Sequence, residues 1–128
     1  MLRAIHLLGT VTILDGAAVS GAIEVPPRHS IAMVHVPTSW TGADLGFQIS
    51  TDGGTTFVDV YSGVGTTTSR LRCTGIPTGG ASFQLAPDIM HELGLGQKVK
   101  LTSINTASNA DVNQTGDITL TVWIGAVN

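Results

Sequence analysis

Cysteine is nearly absent: Cys73 is the only one in 128 residues, so no internal disulfide can form. That excludes a small secreted scaffold held by a disulfide framework. Charge is scarce as well, at 12% of residues, against about 25% in typical soluble domains. Six Lys and Arg against nine Asp and Glu leave a net charge of −3. That is the wrong sign for a nucleic-acid binder, whose footprint is a basic face. No apolar run approaches the roughly 18–20 residues of a membrane span. The opening Met1-Leu-Arg-Ala-Ile-His-Leu-Leu has one Arg, a short apolar run and no small-residue cleavage pattern. A signal peptide is therefore not expected, and the chain reads as made and folded in cytoplasm.

The usual signatures of chemistry are missing too. The histidines stand at 6, 29, 35 and 91, with no His-x-x-x-His or Cys-x-x-Cys spacing, so no metal set is indicated. There is no Gly-x-Ser-x-Gly elbow, no Gly-x-Gly-x-x-Gly run and no phosphate-cradling Gly-Lys-Ser/Thr. The carboxylates Asp15, Glu24, Asp44, Asp59, Asp88, Asp111 and Asp117 are scattered, and nothing pairs them as a glycosidase would. The expectation is a protein that is not an enzyme and takes no cofactor. Cys73 reads as a small buried hydrophobe. Arg70 and Arg72 are near it in sequence, but each stands an odd number of residues away. In a strand they point to the opposite face.

What is present is apolar and small. Hydrophobic residues make up 42%, Gly numbers 16, and the mean hydropathy is +0.30. Such a chain is too apolar for disorder, and its length suits one domain spanning residues 1–128. Its exterior must be covered largely by Thr, Ser, Gly and Asn. Few charges mean weak repulsion between copies, which suits a subunit that packs against others.

The hydrophobic pattern has period two. Strand candidates are Thr10–Leu14, Val19–Val25, Ser30–Val36, Leu45–Ser50, Thr56–Tyr61, Gln97–Ile104 and Asp117–Ile124, with Thr67–Arg72 and Ala81–Leu85 weaker. Ser30–Val36 is apolar on both faces and predicts a central strand covered on both sides, with Ile31, Met33 and His35 on one face. Asp117–Ile124 is the cleanest: Ile118, Leu120, Val122 and Ile124 share one face, and Thr119, Thr121 and Trp123 the other. Short strands at 8–12-residue spacing predict an all-β, antiparallel sandwich or jelly-roll-like barrel. Ala86–Gly94 is the single helical candidate, one short turn opened by Pro87. Thr102–Gly116 reads as a long polar loop, a length often tied to binding. Residues 1–8 are a candidate N-terminal arm that would pair with a neighbour's sheet edge.

One local motif is sharp. Ser50-Thr-Asp-Gly-Gly-Thr-Thr-Phe57 joins two strand candidates as a tight hairpin. Asp52 can accept from backbone N–H groups just downstream, Gly53 and Gly54 supply positive φ, and Phe57 is expected to drop into the core. Ser50, Asp52, Gly53, Gly54, Thr56 and Phe57 thus form a structural turn. It resembles the Asp-box hairpin of sialidases and other β proteins, which implies a structural role. A Ca²⁺ loop is the alternative, but Asp52 is the only carboxylate where about six to eight oxygens are needed.

Four residues are candidates for an interface. Trp123 lies opposite the apolar row of its strand and faces a covering loop, a neighbouring subunit or a stacked sugar. Trp40, between Pro37 and Gly42, is open between core and contact. Arg70 and Arg72 read as a solvated strand edge or as a surface for an acidic partner. His35 reads as a core or interface histidine, His91 as packing or surface, and His29 as part of a solvated turn.

The segment Ile31-Ala-Met-Val-His-Val-Pro-Thr-Ser-Trp-Thr-Gly-Ala-Asp-Leu-Gly-Phe-Gln-Ile-Ser-Thr-Asp-Gly-Gly-Thr-Thr-Phe-Val-Asp-Val-Tyr resembles a widespread group of small phage and prophage virion proteins. Leu85-Ala-Pro-Asp, Lys98-Val-Lys-Leu, Val112-Asn-Gln and Leu120-Thr-Val extend the likeness over about residues 8–124. The resemblance implies a β-sandwich virion component, foremost a head decoration (cement) protein. It would be assembled in the host cytoplasm, bound to the major capsid protein or other virion subunits, and arranged as a homo-oligomer with a trimer favoured. Alternatives are a neck, tail or fibre-associated subunit and a carbohydrate-binding module. Neither nucleic acid nor membrane is an expected partner.

Overall fold

The computed structural model describes residues 2–62, 69–77, 80–84 and 97–127. Among them the chain is all-β, with two antiparallel sheets packed as a sandwich and no closure into a barrel. The strands are β1 (Leu2–Ile13), β2 (Val19–Glu24), β3 (His29–Val36), β4 (Asp44–Ser50), β5 (Val58–Asp59), β6 (Tyr61–Ser62), β7 (Ser69–Arg70), β8 (Arg72–Cys73), β9 (Ala81–Gln84), β10 (Lys98–Ile104) and β11 (Ile118–Val127). One sheet has the order β1-β11-β3-β9 and the other β2-β10-β4-β5, with β8 also on β4. The helical candidate Ala86–Gly94 lies outside the described residues.

Period-two alternation builds the core. Val11 and Ile13 of β1, Ile118, Leu120, Val122 and Ile124 of β11, and Val34 and Val36 of β3 face Leu45, Phe47, Val99 and Leu101 of the second sheet. All are buried. Burying such side chains contributes about 1.5–3 kcal/mol each, the main favourable term of the fold.

Four expectations are corrected. Residues 2–8 are not a free arm: Leu2 pairs with Val127 and Ile5, His6 and Leu7 pair with Gly125, Ile124 and Trp123 of the same chain. β3 does pass through the middle of its sheet, as its apolar run on both faces predicts. Ile31, Met33 and His35 do not share a face, because the register with β11 slips between Trp123↔Met33 and Ile124↔Ile31. This bulge at Ala32 turns Ile31 into the core, while Met33 and His35 stay half-buried on the outside. The polar loop begins at Asn105 rather than Thr102, since Thr102, Ser103 and Ile104 complete β10 and are buried. Finally, Thr56–Tyr61 is not one strand. After two pairs with β4 the chain swings out as β6 and returns as β7, with Val60 N–H donating to Phe47 O and Leu71 N–H to Val60 O.

Gly46, in the middle of β4, has a packing reason to be glycine. A Cβ there would overlap Ile104 Cδ1 and stand 2.6 Å from Thr102 Oγ1. Both neighbours are fully buried. Gly46→Ala is therefore expected to cost about 1–3 kcal/mol through overpacking. Gly42→Ala, with nothing within 4 Å, is expected to change stability by less than about 0.5 kcal/mol. Urea unfolding of the two variants checks the contrast.

Candidate functional site

A sandwich has two outer faces, and here they differ in kind. On the sheet containing β10 and β4, the outward positions carry charge. Glu24 pairs in register with Lys98; Lys100 is beside Gln48, and Gln48 beside Asp59. Over this face lies Arg70, only 2% exposed. Its Nη2 donates to Asp59 Oδ1 at 2.9 Å and Thr102 Oγ1 at 3.2 Å. Its Nη1 donates to Asn109 O at 3.1 Å and to Asp111 Oδ1. Nε alone has no partner. Arg72 beside it binds Asp44 Oδ2 at 3.3 Å, Asn105 O and Ser108 O through Nη1, and Asn109 Oδ1 through Nη2.

The polar loop after β10 therefore works as an internal clamp. It folds back onto the arginines and covers the buried Ile104. This corrects two readings of Arg70: it is neither a solvated edge nor open to an acidic partner. A groove of about 400 Å³ runs between Asp44, Arg72, Thr74 and Ser108. Arg72 lines this groove with its charge opposed by Asp44 and with Nη1 and Nη2 bound to the loop after β10. Trp40 is withdrawn as well. It is 5% exposed, sits in the core cluster and donates from Nε1 to Ala43 O at 3.1 Å. The loop carrying it is held by buried Gln114, which accepts from Thr41 N–H and donates to Thr41 O and Ser103 Oγ.

The hairpin forms as the sequence predicts, apart from its last residue. Asp52 Oδ1 accepts from Thr55 N–H at 3.1 Å, Thr56 N–H at 2.9 Å and Ser50 Oγ at 2.8 Å. Ser50 Oγ accepts from Gly54 N–H at 2.8 Å. Gly53 and Gly54 have φ of 81° and 106°, the region that favours glycine. Phe57 is not in the core; it lies half-buried at the sheet edge with Lys100 Nζ 4.3 Å above its ring. The Thr56 N–H and the Ser50 hydroxyl, ahead of Thr55, hold the Asp52 carboxyl down from 3.8 to about 2. Burial, with the Asp44 charge adding to it, pushes the Cys73 thiol up to about 12. It is no nucleophile at neutral pH. Among the described residues no three His, Cys, Asp or Glu side chains cluster to hold a metal.

The face of the β1-β11-β3-β9 sheet is the candidate site. Register fixes which residues project from it. Leu7, Trp123, Met33 and Gln84 stand side by side across the four strands. Thr10, Thr121, His35 and Ser82 form the next row, and Thr12 and Thr119 the next, with the two hydroxyls 3.2 Å apart. His35 Nδ1 is 2.7 Å from Ser82 Oγ. From Ile5 to Thr12 along β1, no outward position of these strands carries a charge. Leu7 is 58% exposed and Ile5 38%. No described element packs across this face. Of the candidate interface residues, Trp123 alone lies on this face, half-buried between Leu7 and Met33. Alternation along β11 puts Thr121 on the same face, but Leu7, Met33 and Thr10 of the other strands do not follow from it. The signal was there in the uncharged alternate positions of β1 and β3, but their register with β11 was not.

No family model matches the chain, and neither a curated protein nor a solved structure matches it.

Two predictions follow from the clamp and the hairpin. Arg70→Ala leaves Asp59 and Asp111 facing each other without a cation. Those carboxylates are 32% and 44% exposed, so the loss falls below that of a fully buried pair, at about 2–3 kcal/mol; chemical unfolding measures it. Folding lowers the Asp52 carboxyl, so its contribution is complete above pH 4 or so and disappears as pH falls through about 2. An NMR titration of the Asp52 carboxyl carbon is expected to show its midpoint near 2, with Thr55 and Thr56 amide shifts moving alongside.

Proposed function

We propose that this protein is a structural subunit of a phage particle, foremost a head decoration protein. It works by contact area, covering neighbouring virion surface rather than transforming a substrate. The observation that carries this reading is the broad uncharged sheet face with Trp123 at its middle and Leu7 exposed beside it. Desolvating Thr, Met, Leu and Trp costs far less than desolvating ions. Such a face suits repeated packing between subunits, and aromatic anchors concentrate contact energy. The sandwich frame is compatible with the same reading, and the motifs over about residues 8–124 that resemble those of small virion proteins point the same way. A chain that binds the shell and not its loosened subunits stabilises the shell by mass action.

A second reading has one observation in its favour. A tryptophan on a flat sheet face is also how a carbohydrate-binding module stacks a sugar ring. With Trp40 in the core, that reading rests on Trp123 alone.

The experiment is co-sedimentation of the purified chain with expanded heads assembled from the capsid protein of the same phage. Saturable binding and a raised shell melting temperature are expected. Absence of binding to expanded heads overturns the decoration role. Glycan-array binding that Trp123→Ala abolishes overturns it in favour of the sugar-binding reading.

A further inference from the structure

We propose that the groove beside Asp44 binds a neutral, hydroxyl-rich ligand, a saccharide unit, with the Asp44 carboxylate as its principal acceptor. This goes beyond the particle role above and does not depend on the β1-β11-β3-β9 face.

The groove lies where β4 begins, beside β8 and the loop after β10, and holds about 400 Å³. That is the size of a small-molecule site. Leu45 pairs with Cys73 and Gly46 with Arg72, which brings the Arg72 guanidinium alongside Asp44. Thr74, Thr106, Ser108 and Asn109 also line it.

The carboxylate is short of donors. Asp44 is 4% exposed, and a carboxylate so buried ordinarily has its oxygens hydrogen-bonded. Its Oδ2 has one donor, Arg72 Nη1 at 3.3 Å. That nitrogen carries two hydrogens and faces three acceptors, of which Ser108 O at 2.9 Å and Asn105 O at 3.1 Å are the closer. Asp44 therefore receives the weakest share. No donor among the described residues reaches Oδ1. Nor is Oδ1 sealed in: among the described residues Arg70 Nε is the only fully buried side-chain atom without a partner. Oδ1 is thus an open acceptor on a residue that lines the groove.

Charge selects the ligand. Asp44 and Arg72 are the ionised pair among the described lining residues, and their charges cancel. A metal cation at Asp44 would meet the guanidinium, and an anion at Arg72 would meet the carboxylate. A neutral hydroxyl suits both. It donates to Asp44 Oδ1 and accepts from the second hydrogen of Arg72 Nη2, whose first goes to Asn109 Oδ1. Asn109 Oδ1 also accepts from Arg70 N–H at 3.2 Å, which fixes the amide with Nδ2 as a donor. The hydroxyls of Thr74, Thr106 and Ser108 turn to donate or accept. Donors and acceptors interleaved in one small groove match the adjacent hydroxyls of a sugar ring. The described lining holds no aromatic ring, so binding is expected to be weak, with half-saturation in the millimolar range.

An NMR titration of the full chain with glucose, galactose, mannose and N-acetylglucosamine, each carried into the high-millimolar range, tests this. Saturable shifts of the Thr74, Thr106, Ser108 and Asn109 amides with at least one sugar are expected. Asp44→Asn keeps the shape, removes the charge and is expected to weaken binding by about tenfold or more. Thr106→Val, in the exposed loop, is expected to weaken it by about twofold or more. Glu24→Gln, paired with Lys98 at the far end of β10 from Asp44, is expected to leave it unchanged. No saturable shift with any of these sugars overturns the inference. So does binding unchanged in Asp44→Asn, or in Thr106→Val where circular dichroism shows that Asp44→Asn does not fold. Shifts of the same amides by sodium phosphate or calcium chloride, without shifts by the sugars, overturn the neutral class. Sugar shifts confined to Leu7, Thr121 and Trp123 overturn the location. Co-sedimentation with expanded heads reads the particle role separately, so failure of one reading is told apart from failure of the other.

Discussion

Two sheets that share one hydrophobic core each keep a second face, and that leftover surface must be reconciled with water or with something else. This chain resolves its two leftovers in opposite ways. Over the β2-β10-β4 side it lays its own β6–β7 excursion and the loop after β10, tied down by Arg70 and Arg72. Over the β1-β11-β3-β9 side no described element packs. Among the described residues, the covering of the first face and the uncharged make-up of the second follow from where a short supply of ions was placed. Asp15 and Asp117 illustrate the bias at the end of the β1-β11-β3-β9 sheet. They sit in turns, each accepting from a backbone N–H of the other's turn, Gly116 to Asp15 and Asp15 to Asp117.

Burying Arg70 is the most demanding step in this arrangement. A guanidinium at 2% exposure is tolerable only with its charge opposed and its donors used. Asp59 and Asp111 oppose the charge, while Thr102 Oγ1 and Asn109 O take further donors. These ligands come from β5, β10 and the following loop, so satisfying one side chain fixes three segments relative to each other. The close approach of Thr102 and Ile104 to β4 also explains why Gly46 has no room for a Cβ. Hydrophobic side chains of equal volume could match the stability of such a cluster. What ions add here is direction, because Asp59, Thr102, Asn109 and Asp111 must all be brought to one guanidinium.

Most of the fold was legible because it depends on local alternation. The strand cores at Val11–Ile13, Leu45–Ile49, Val99–Leu101 and Ile118–Ile124 announce themselves by period two, and each appears where that pattern puts it. Asp52 and Gly53-Gly54 are equally local, so the hairpin reads directly. The failures share another cause. Arg70 looked like a solvated edge because its partners Asn109 and Asp111 lie 39 and 41 residues away. Phe57 looked like a core anchor because nothing nearby shows that the strand ends at Asp59. Ile31 changed faces through a bulge that depends on pairing with β11. The candidate site was legible only at Trp123, because a face spanning four strands is a property of register between distant segments.

The composition of that face bears on how it works. Threonine is β-branched and fits a pleated surface. Its hydroxyl is satisfied by water in the free chain and by another hydroxyl under cover. It therefore tolerates both states, where an ion tolerates one and a run of leucines the other. Thr12 and Thr119 already form such a pair within the sheet. A surface built this way, with Leu7 58% exposed and Trp123 beside it, suits a modest contact that could form and separate without unfolding the sandwich. Modest contacts become firm when many copies engage together, since each additional engagement is effectively intramolecular. In the proposed role, strength in a shell would come from that repetition, and a chain with only 12% charged residues suits it.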